Sequence, residues 1–255
     1  MTMTEAGFHS VLVWAVVALA ALTFISLLRF TAPYGRHYAG RGWGPEVSNR
    51  TGWIVMELPA PLLFACIYAV GDAAHETVPL VLLALWQCHY LNRTFIYPFR
   101  TRTAGKTMPL AVALSGFVFN VLNAYINARF ISHLGDYGPG WLADPRFLAG
   151  VTLFFAGFAL NLHSDNILLA LRKARGAEYS IPRGGAFRYV SCPNYLGEIM
   201  EWAGWALATW SAAGLAFFLY AVANLAPRAL SNHRWYRQRF DDYPGERKAL
   251  IPGVV

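Results

Sequence analysis

The chain has 255 residues, of which 56% are hydrophobic and only 14% are charged, against about 25% charged in an ordinary soluble domain. This composition argues against a soluble domain and predicts an integral membrane protein. The net charge of +7 would favour nucleic-acid binding in a soluble protein, but here the positive charges lie between apolar segments, so we expect no nucleic-acid partner.

Seven apolar windows of membrane length, or slightly less, divide the chain. They cover residues 8–29, 52–71, 78–97, 108–131, 147–170, 195–211 and 214–227. Except for Arg129 and Arg146, every Lys and Arg lies at the end of, or after, the first, third, fifth or seventh window. By the positive-inside rule, the sequence predicts an all-α integral membrane protein with seven transmembrane helices, its N-terminus outside and its C-terminus cytoplasmic. The last two windows are so close together that we expect a tight hairpin between them.

The first window has an alternative interpretation as a cleaved signal peptide, because Ala18-Leu19-Ala20 resembles a cleavage site. No Lys or Arg precedes it, and the apolar run continues through Leu28 into a basic loop. These features favour a retained anchor.

The loop at residues 31–51 is rich in Gly, Arg and aromatic residues and is too polar to enter lipid. We expect it to lie over the cytoplasmic mouth of the helix bundle.

The second and third windows each contain a polar residue that could take part in catalysis. Glu57 is followed by Pro59 and Pro61, which lack amide hydrogens and loosen the helix there. Tyr90 lies in a polar cluster with Gln87, His89, Asn92 and Arg93. A carboxylate at a helix end and a tyrosine at a membrane interface are the structural alternatives. In the fourth window, three asparagines share one helix face, which favours bundle packing: Asn120, Asn123 and Asn127.

Two further predicted helices each carry three polar residues on one face. These residues are Asn161, Asp165 and Arg172 on the first helix, and Asn194, Glu198 and Glu201 on the second. Interhelical hydrogen bonds, each worth about 1 kcal/mol, are one explanation. Carboxylates cost about 2.5–3.5 kcal/mol at the middle of a bilayer, however, so they normally mark a cavity or a site. We therefore expect a polar ligand between these two helices.

Metal-binding and disulfide signatures are weak in this chain. The histidines show no HExxH spacing, and the three cysteines are scattered. We expect no metal site and no disulfide framework.

Several long motifs carry a family resemblance. They are NLHSDNILLALRK at 161–173, EYSIPRGGAFRYVS at 178–191, PNYLGEIMEWAGWALATWS at 193–211 and DDYPGERKALIP at 241–252, with MELPAP at 56–61 and HYLNRTFIYP at 89–98. Together they resemble the steroid 5α-reductase family of 3-oxo-5α-steroid 4-dehydrogenases. The match is strong over residues 105–255 and thinner before them. The resemblance implies a seven-helix membrane enzyme that uses NADPH to reduce the C4–C5 double bond of a 3-oxo-Δ4 steroid.

The resemblance also implies roles for individual residues. It places the catalytic pair at Glu57 and Tyr90, and these two with Trp202 contact the substrate. The cofactor-binding positions that it implies are Arg93, Asn161, Asp165, Arg172, Tyr179, Asn194, Glu198, Arg228, Asn232, Tyr236 and Arg247. Residues 1–104 would then form the substrate side, and residues 105–255 the NADPH-binding region, of a single seven-helix membrane domain at 1–255. The tail departs from the family at Ser231-Asn232, where the family has a histidine-rich stretch.

The chemistry of the implied reaction suits these residue types. An enone accepts hydride at its β-carbon as negative charge moves to the carbonyl oxygen, so Tyr90 and a protonated Glu57 can both donate hydrogen bonds to that oxygen. Water would then protonate C4.

Three alternative functions remain open at this stage. They are a related membrane enoyl or sterol reductase, a membrane methyltransferase of the isoprenylcysteine type and a sterol-binding protein without enzymatic activity. We expect a monomer in the lipid bilayer, and short loops favour a bacterial inner membrane over the endoplasmic reticulum.

Overall fold

The computed structural model describes residues 3–33, 35–38, 43–101, 105–175 and 179–255. Within these ranges the α-helices are α1 Glu5–Arg29, α2 Asn49–Glu57, α3 Pro59–Ala69, α4 Thr77–Leu91, α5 Tyr97–Arg100, α6 Leu110–Arg129, α7 Pro145–Arg175, α8 Pro193–Thr209 and α9 Ala212–Arg239. Single turns of π-helix continue α4 and α6, at Asn92–Ile96 and Phe130–Leu134. Short 3-10 turns lie at Gly35–His37, Trp141–Ala143 and Gly185–Arg188.

Five helical segments in the described ranges are long and apolar enough to cross a membrane. They are Glu5–Arg29, Asn49–Ala69, Leu110–Leu134, Pro145–Ala174 and Ala212–Arg239. The helix α4, with 15 residues before its π-helical turn, and α8, with 17 residues, are not among these segments. A helical membrane protein is therefore confirmed, whereas seven spans and the orientation of the termini stay predictions.

A short antiparallel strand pair is the element that hydrophobic periodicity did not predict. Strand β1, Glu46–Ser48, pairs with strand β2, Thr107–Pro109, in a register that sets Val47 opposite Met108. Strands of three residues are too short to show an alternating pattern. The pair joins the end of the loop at 31–51 to the start of α6.

The predicted hairpin between the last two windows is confirmed. The helix α8 ends at Thr209 and is followed by Trp210, whose φ of +43° is left-handed. Ser211 Oγ then accepts a hydrogen bond from the Gly214 amide at 2.9 Å and begins α9.

Glycines bring the backbones of α7 and α8 into direct contact. A Cβ atom on Gly157 would lie 2.5 Å from both the Glu201 amide nitrogen and the Gly197 carbonyl oxygen. A Cβ atom on Gly204 would lie 2.4 Å from the Phe154 amide nitrogen. Small residues at such crossings are what allows membrane helices to approach closely. The contact sets the polar face of α7 directly against that of α8.

An aromatic core lies where α3, α4, α8 and α9 meet. Trp86 is fully buried, stacks on Phe64 with ring centroids 4.3 Å apart and contacts Trp205 at 5.1 Å and Phe217 at 5.6 Å. Its indole N–H donates to the Ala60 carbonyl at 2.8 Å. This core holds α4 in place one turn before Tyr90.

Substitution of Gly157 by alanine tests the helix contact. The new methyl group meets backbone atoms, which cannot rotate away, so we expect a loss of about 1–3 kcal/mol of stability. That loss should lower the midpoint of thermal unfolding, measured in detergent, by several degrees. Gly138→Ala is the matched control, because nothing lies within 4 Å of a Cβ atom there. Equal unfolding midpoints for the two variants would contradict the proposed role of the contact.

Candidate functional site

A largely hydrophobic cavity of about 460 Å³ lies between α1, α6 and α9 and the ends of α2 and α4. This volume is within the range of roughly 300–1,000 Å³ typical of small-molecule sites. The three residues implied to contact a substrate, Glu57, Tyr90 and Trp202, all line it. The structure thus brings together side chains that are far apart in the sequence.

The Tyr90 side chain is held by rings on several sides. It stacks with Trp202 at a centroid distance of 5.6 Å and an interplanar angle of 30°, and it contacts Trp86 at 4.8 Å. Tyr90 also lines the cavity. The hydroxyl can therefore donate to a ligand in the cavity.

Glu57 occupies the break between two helices. The helix α2 ends at Glu57 and α3 begins at Pro59, which has no amide hydrogen to continue the ladder. Asn120 on α6 bridges the break, because its amide group donates to the Met56 carbonyl at 2.8 Å and to Glu57 Oε2 at 3.3 Å. Asn120 thus orients the carboxyl group, a contact that the packing interpretation of this asparagine did not include.

The other two asparagines of α6 pack as expected. Asn127 donates to Asn123 Oδ1 at 2.9 Å and accepts from the Trp205 indole at 2.8 Å. Both amides are fully buried.

Arg93 lies on the π-helical turn after α4 and faces both polar helices. Its guanidinium group lies 3.7 Å from Asp165 Oδ2 on α7 and 3.5 Å from Glu198 Oε2 on α8. The rings of Trp53 and Tyr97 lie 4.6 and 4.9 Å from its central carbon. π-Helical turns are frequent at functional sites. Here the turn brings the arginine to a point where it lines two cavities.

The second cavity is polar and rich in arginine. Its lining includes six of the implied cofactor-binding residues besides Arg93: Arg172, Tyr179, Asn194, Arg228, Asn232 and Tyr236. Arg36 and Arg50 add further positive charge. Arg93, Arg228 and Trp53 also line the hydrophobic cavity, so the two cavities adjoin.

Three more of the implied cofactor-binding residues lie outside the lining of the polar cavity: Asn161, Asp165 and Glu198. Asn161 donates to the Asn194 carbonyl at 2.9 Å, and Asn194 donates to Asp165 Oδ1 at 3.3 Å. Glu198 lines the hydrophobic cavity instead of the polar one. The polar faces predicted on these helices therefore meet, and part of each is occupied by hydrogen bonds between them.

Arg247 does not line either cavity. It is 5% exposed, donates to the Pro182 carbonyl at 3.1 Å and lies 5.3 Å from the Tyr243 ring centroid. Tyr243 in turn stacks on Tyr236 at 5.3 Å. In this structure, Arg247 braces a wall of the polar cavity.

Sequence reasoning missed Arg36. Its guanidinium carbon lies 4.5 Å from the ring centroid of Tyr236, 5.0 Å from Trp235 and 5.3 Å from Tyr179. Its Nη1 atom is buried without a hydrogen-bond partner among the described residues. The basic and aromatic content of the loop at 31–51 was the available signal. Residues 35–37 of that loop line the polar cavity, whereas residues 34 and 39–42 lie outside the described ranges.

Two more basic residues of the loops lie at the polar site. Burial lowers the pKa of His37, and its Nε2–H donates to Asn232 Oδ1 at 3.0 Å. Burial and the neighbouring Arg172 lower the pKa of Lys106, whose ammonium group lies 5.6 Å from the Tyr179 ring centroid.

This donor set fits a ligand that carries phosphate groups. Guanidinium groups bind phosphate oxygens through paired, charge-assisted hydrogen bonds. The unpartnered Nη1 of Arg36 points to the same conclusion, since a buried donor without an acceptor is costly. An anionic ligand would supply the acceptor.

Known proteins match the whole chain. A family profile described as 3-oxo-5-alpha-steroid 4-dehydrogenase matches residues 106–255. Steroid 5-alpha-reductase DET2 of Solanum lycopersicum is 45% identical over 255 residues, which cover 99% of this chain and 99% of that protein. 3-oxo-5-alpha-steroid 4-dehydrogenase 1 of Bos taurus is 40% identical over 260 residues and 100% of both chains. The protein of the same name from Homo sapiens is 44% identical over 221 residues, 86% of this chain and 85% of that one. The chain therefore belongs to the 3-oxo-5-alpha-steroid 4-dehydrogenase family, the steroid 5α-reductases.

Proposed function

We propose that this oxidoreductase reduces the C4–C5 double bond of a 3-oxo-Δ4 steroid to the 5α product, with NADPH as the reductant. The observation that carries the proposal is that a mainly apolar cavity adjoins an arginine-rich one at Arg93, Arg228 and Trp53. A lipophilic substrate suits one cavity, and an anionic cofactor suits the other.

The steroid ketone would bind at Glu57 and Tyr90. Negative charge moves to the C3 oxygen as C5 is reduced, and a hydrogen-bond donor at that oxygen stabilises the transition state. The Tyr90 hydroxyl supplies one donor, and a protonated Glu57, held by Asn120 Nδ2 at 3.3 Å, supplies a second. The Trp202 ring stacked on Tyr90 would pack against the steroid body.

The polar cavity would bind the cofactor. When bound, NADPH supplies the hydride that C5 accepts. Arg36 and Arg172 would bind its phosphate groups, while Asn194 and Tyr236 would contact its neutral parts. Arg93 is already paired with Asp165 and Glu198 and would shape the boundary between the two ligands. Water would deliver the proton to C4.

The predicted topology also gives the two cavities an orientation in the membrane. With a cytoplasmic C-terminus, the arginine-rich cavity would open to the cytoplasm, where the cofactor is available, and the hydrophobic cavity would lie within the bilayer.

Turnover of testosterone or progesterone by the detergent-purified protein tests the function. We expect enone absorbance to fall only when NADPH is present, with the 5α-reduced steroid recovered by chromatography. NADPH binding without turnover of either steroid would contradict the substrate assignment, and the substrate would then be another enone or an enoyl lipid.

Tyr90→Phe tests whether the Tyr90 hydroxyl donates a hydrogen bond to the substrate ketone. Removal of one preorganised donor costs about 10²–10³-fold in kcat, and we expect a loss of this size with an unchanged dissociation constant for NADPH. Tyr189→Phe is the control, since Tyr189 is exposed and lines neither cavity. Full turnover by Tyr90→Phe with intact NADPH binding would overturn the assigned role.

Arg172→Ala tests the polar cavity. Charge-assisted hydrogen bonds contribute about 1.5–3 kcal/mol, so we expect the dissociation constant for NADPH to rise by roughly 10- to 150-fold. Quenching of tryptophan fluorescence during an NADPH titration measures it. Arg183→Ala removes the same charge from the exposed ion pair with Asp242 and should leave binding unchanged. Equal affinities for the two variants would count against this cofactor site.

A further inference from the structure

A buried hydrogen bond links α4 to α8 beside the two stacked rings of the hydrophobic cavity. His89 Nδ1 lies 2.8 Å from Glu201 Oε1, and the two side chains are 4% and 0% exposed. The family motifs assign a role to neither residue, although the helix pattern set Glu201 on a polar face.

The bond joins the residues that directly precede the stacking partners. His89 comes before Tyr90, and Glu201 comes before Trp202. The His89 ring also meets both aromatic rings edge-on, at 4.8 Å from Tyr90 with a 76° angle and at 4.6 Å from Trp202 with a 63° angle. Any change in the His89 side chain is therefore felt by both rings.

Stability alone does not account for this pair. Replacement of a buried ionisable pair by well-packed hydrophobic residues is often neutral or stabilising. Glu201 Oε2 is buried without a hydrogen-bond partner among the described residues, so the carboxyl group is only half satisfied. A buried, half-satisfied carboxyl group beside a reactive side chain indicates a role in the site.

We propose that His89 and Glu201 are positioning residues for Tyr90. Their hydrogen bond fixes the His89 ring, which holds the Tyr90 ring at its angle to Trp202 and so aims the Tyr90 hydroxyl into the cavity. The hydroxyl is fixed to the ring, which contacts Trp86, His89 and Trp202, so its direction depends on the packing of the ring. The inference rests on the proposed function, in which Tyr90 donates to the substrate ketone.

Two substitutions of Glu201 separate the hydrogen bond from the charge. Glu201→Leu fills the space but removes the hydrogen bond to His89, and we expect kcat to fall by roughly 10- to 100-fold, as for a donor displaced by a fraction of an ångström. The dissociation constant for NADPH should not change. Glu201→Gln keeps a hydrogen-bonding partner for His89 Nδ1, because an amide group can both donate and accept, and its kcat should remain close to that of the parent. A similar loss in both variants, or none in Glu201→Leu, would overturn the proposal.

A double-mutant cycle with Tyr90→Phe shows whether the pair acts through the tyrosine. Once the hydroxyl is absent its direction no longer matters, so Glu201→Leu should cause no further loss of kcat in the Tyr90→Phe background. Independent, multiplicative losses would mean that the pair acts elsewhere. If Tyr90→Phe alone retains full turnover, the proposed role of Tyr90 fails first, and this result is distinct from failure of the positioning role.

Controls guard against a general loss of folding. Rates are expressed per amount of monodisperse protein. If Glu201→Leu does not fold, His89→Phe replaces it, because phenylalanine keeps the ring while it removes Nδ1, and the same loss of kcat is expected.

His9→Phe is the matched control. It removes another buried hydrogen bond between helices, from His9 Nε2 to the Ile126 carbonyl at 2.8 Å, at a position that lines neither cavity. It should lower thermal stability without lowering kcat.

Discussion

The close approach of α7 and α8 is the constraint on which the rest of the site depends. Glycines at the crossing leave no room for a Cβ atom, so the two backbones touch. Only at this distance can the short Asn161 side chain reach the Asn194 carbonyl, and Asn194 reach Asp165. In lipid these contacts gain little from the hydrophobic effect, because lipid tails are as apolar as the side chains they would replace. Shape and hydrogen bonds therefore decide where the polar faces meet.

The carboxylates that this crossing positions hold a buried cation. Asp165 comes from α7 and Glu198 from α8, and both lie within 3.7 Å of the Arg93 guanidinium group. A charge in an apolar bundle is tolerable when it is paired. Arg93 and Arg36 differ in this respect. Arg93 has carboxylate partners, whereas Arg36 has a buried nitrogen atom without a partner among the described residues. The fixed cation shapes the site, and the unsatisfied one is available to an anionic ligand.

The pattern of apolar and polar residues predicted the helices, the tight hairpin and the polar faces of α7 and α8, because each of these features can be read from residues close together in the chain. It did not find Arg36, whose aromatic neighbours Tyr179 and Trp235 come from distant parts of the chain. Irregular loops have no period from which such contacts could be read. Glu201 shows a subtler limit. The pattern grouped it with the polar stripe of α8, yet it lies about 10 Å along the axis from Asn194, and its partner is His89 on α4. A helix pattern predicts a face but not the neighbour that the face meets.

The arrangement of donors explains how a substrate with few polar groups could be oriented. Glu57 and Tyr90 line the hydrophobic cavity but not the polar one, whereas Arg93 and Arg228 line both. A steroid ketone that meets the first pair would gain two hydrogen bonds, while the aromatic and aliphatic side chains of the lining would pack against the rings. With the ketone fixed there, the neighbouring double bond must lie within a few ångströms of it. Positioning of this kind contributes to catalysis by holding reactants near the reactive geometry. In the proposed reaction, specificity for an enone therefore follows from two donors that line the cavity beside its apolar side chains.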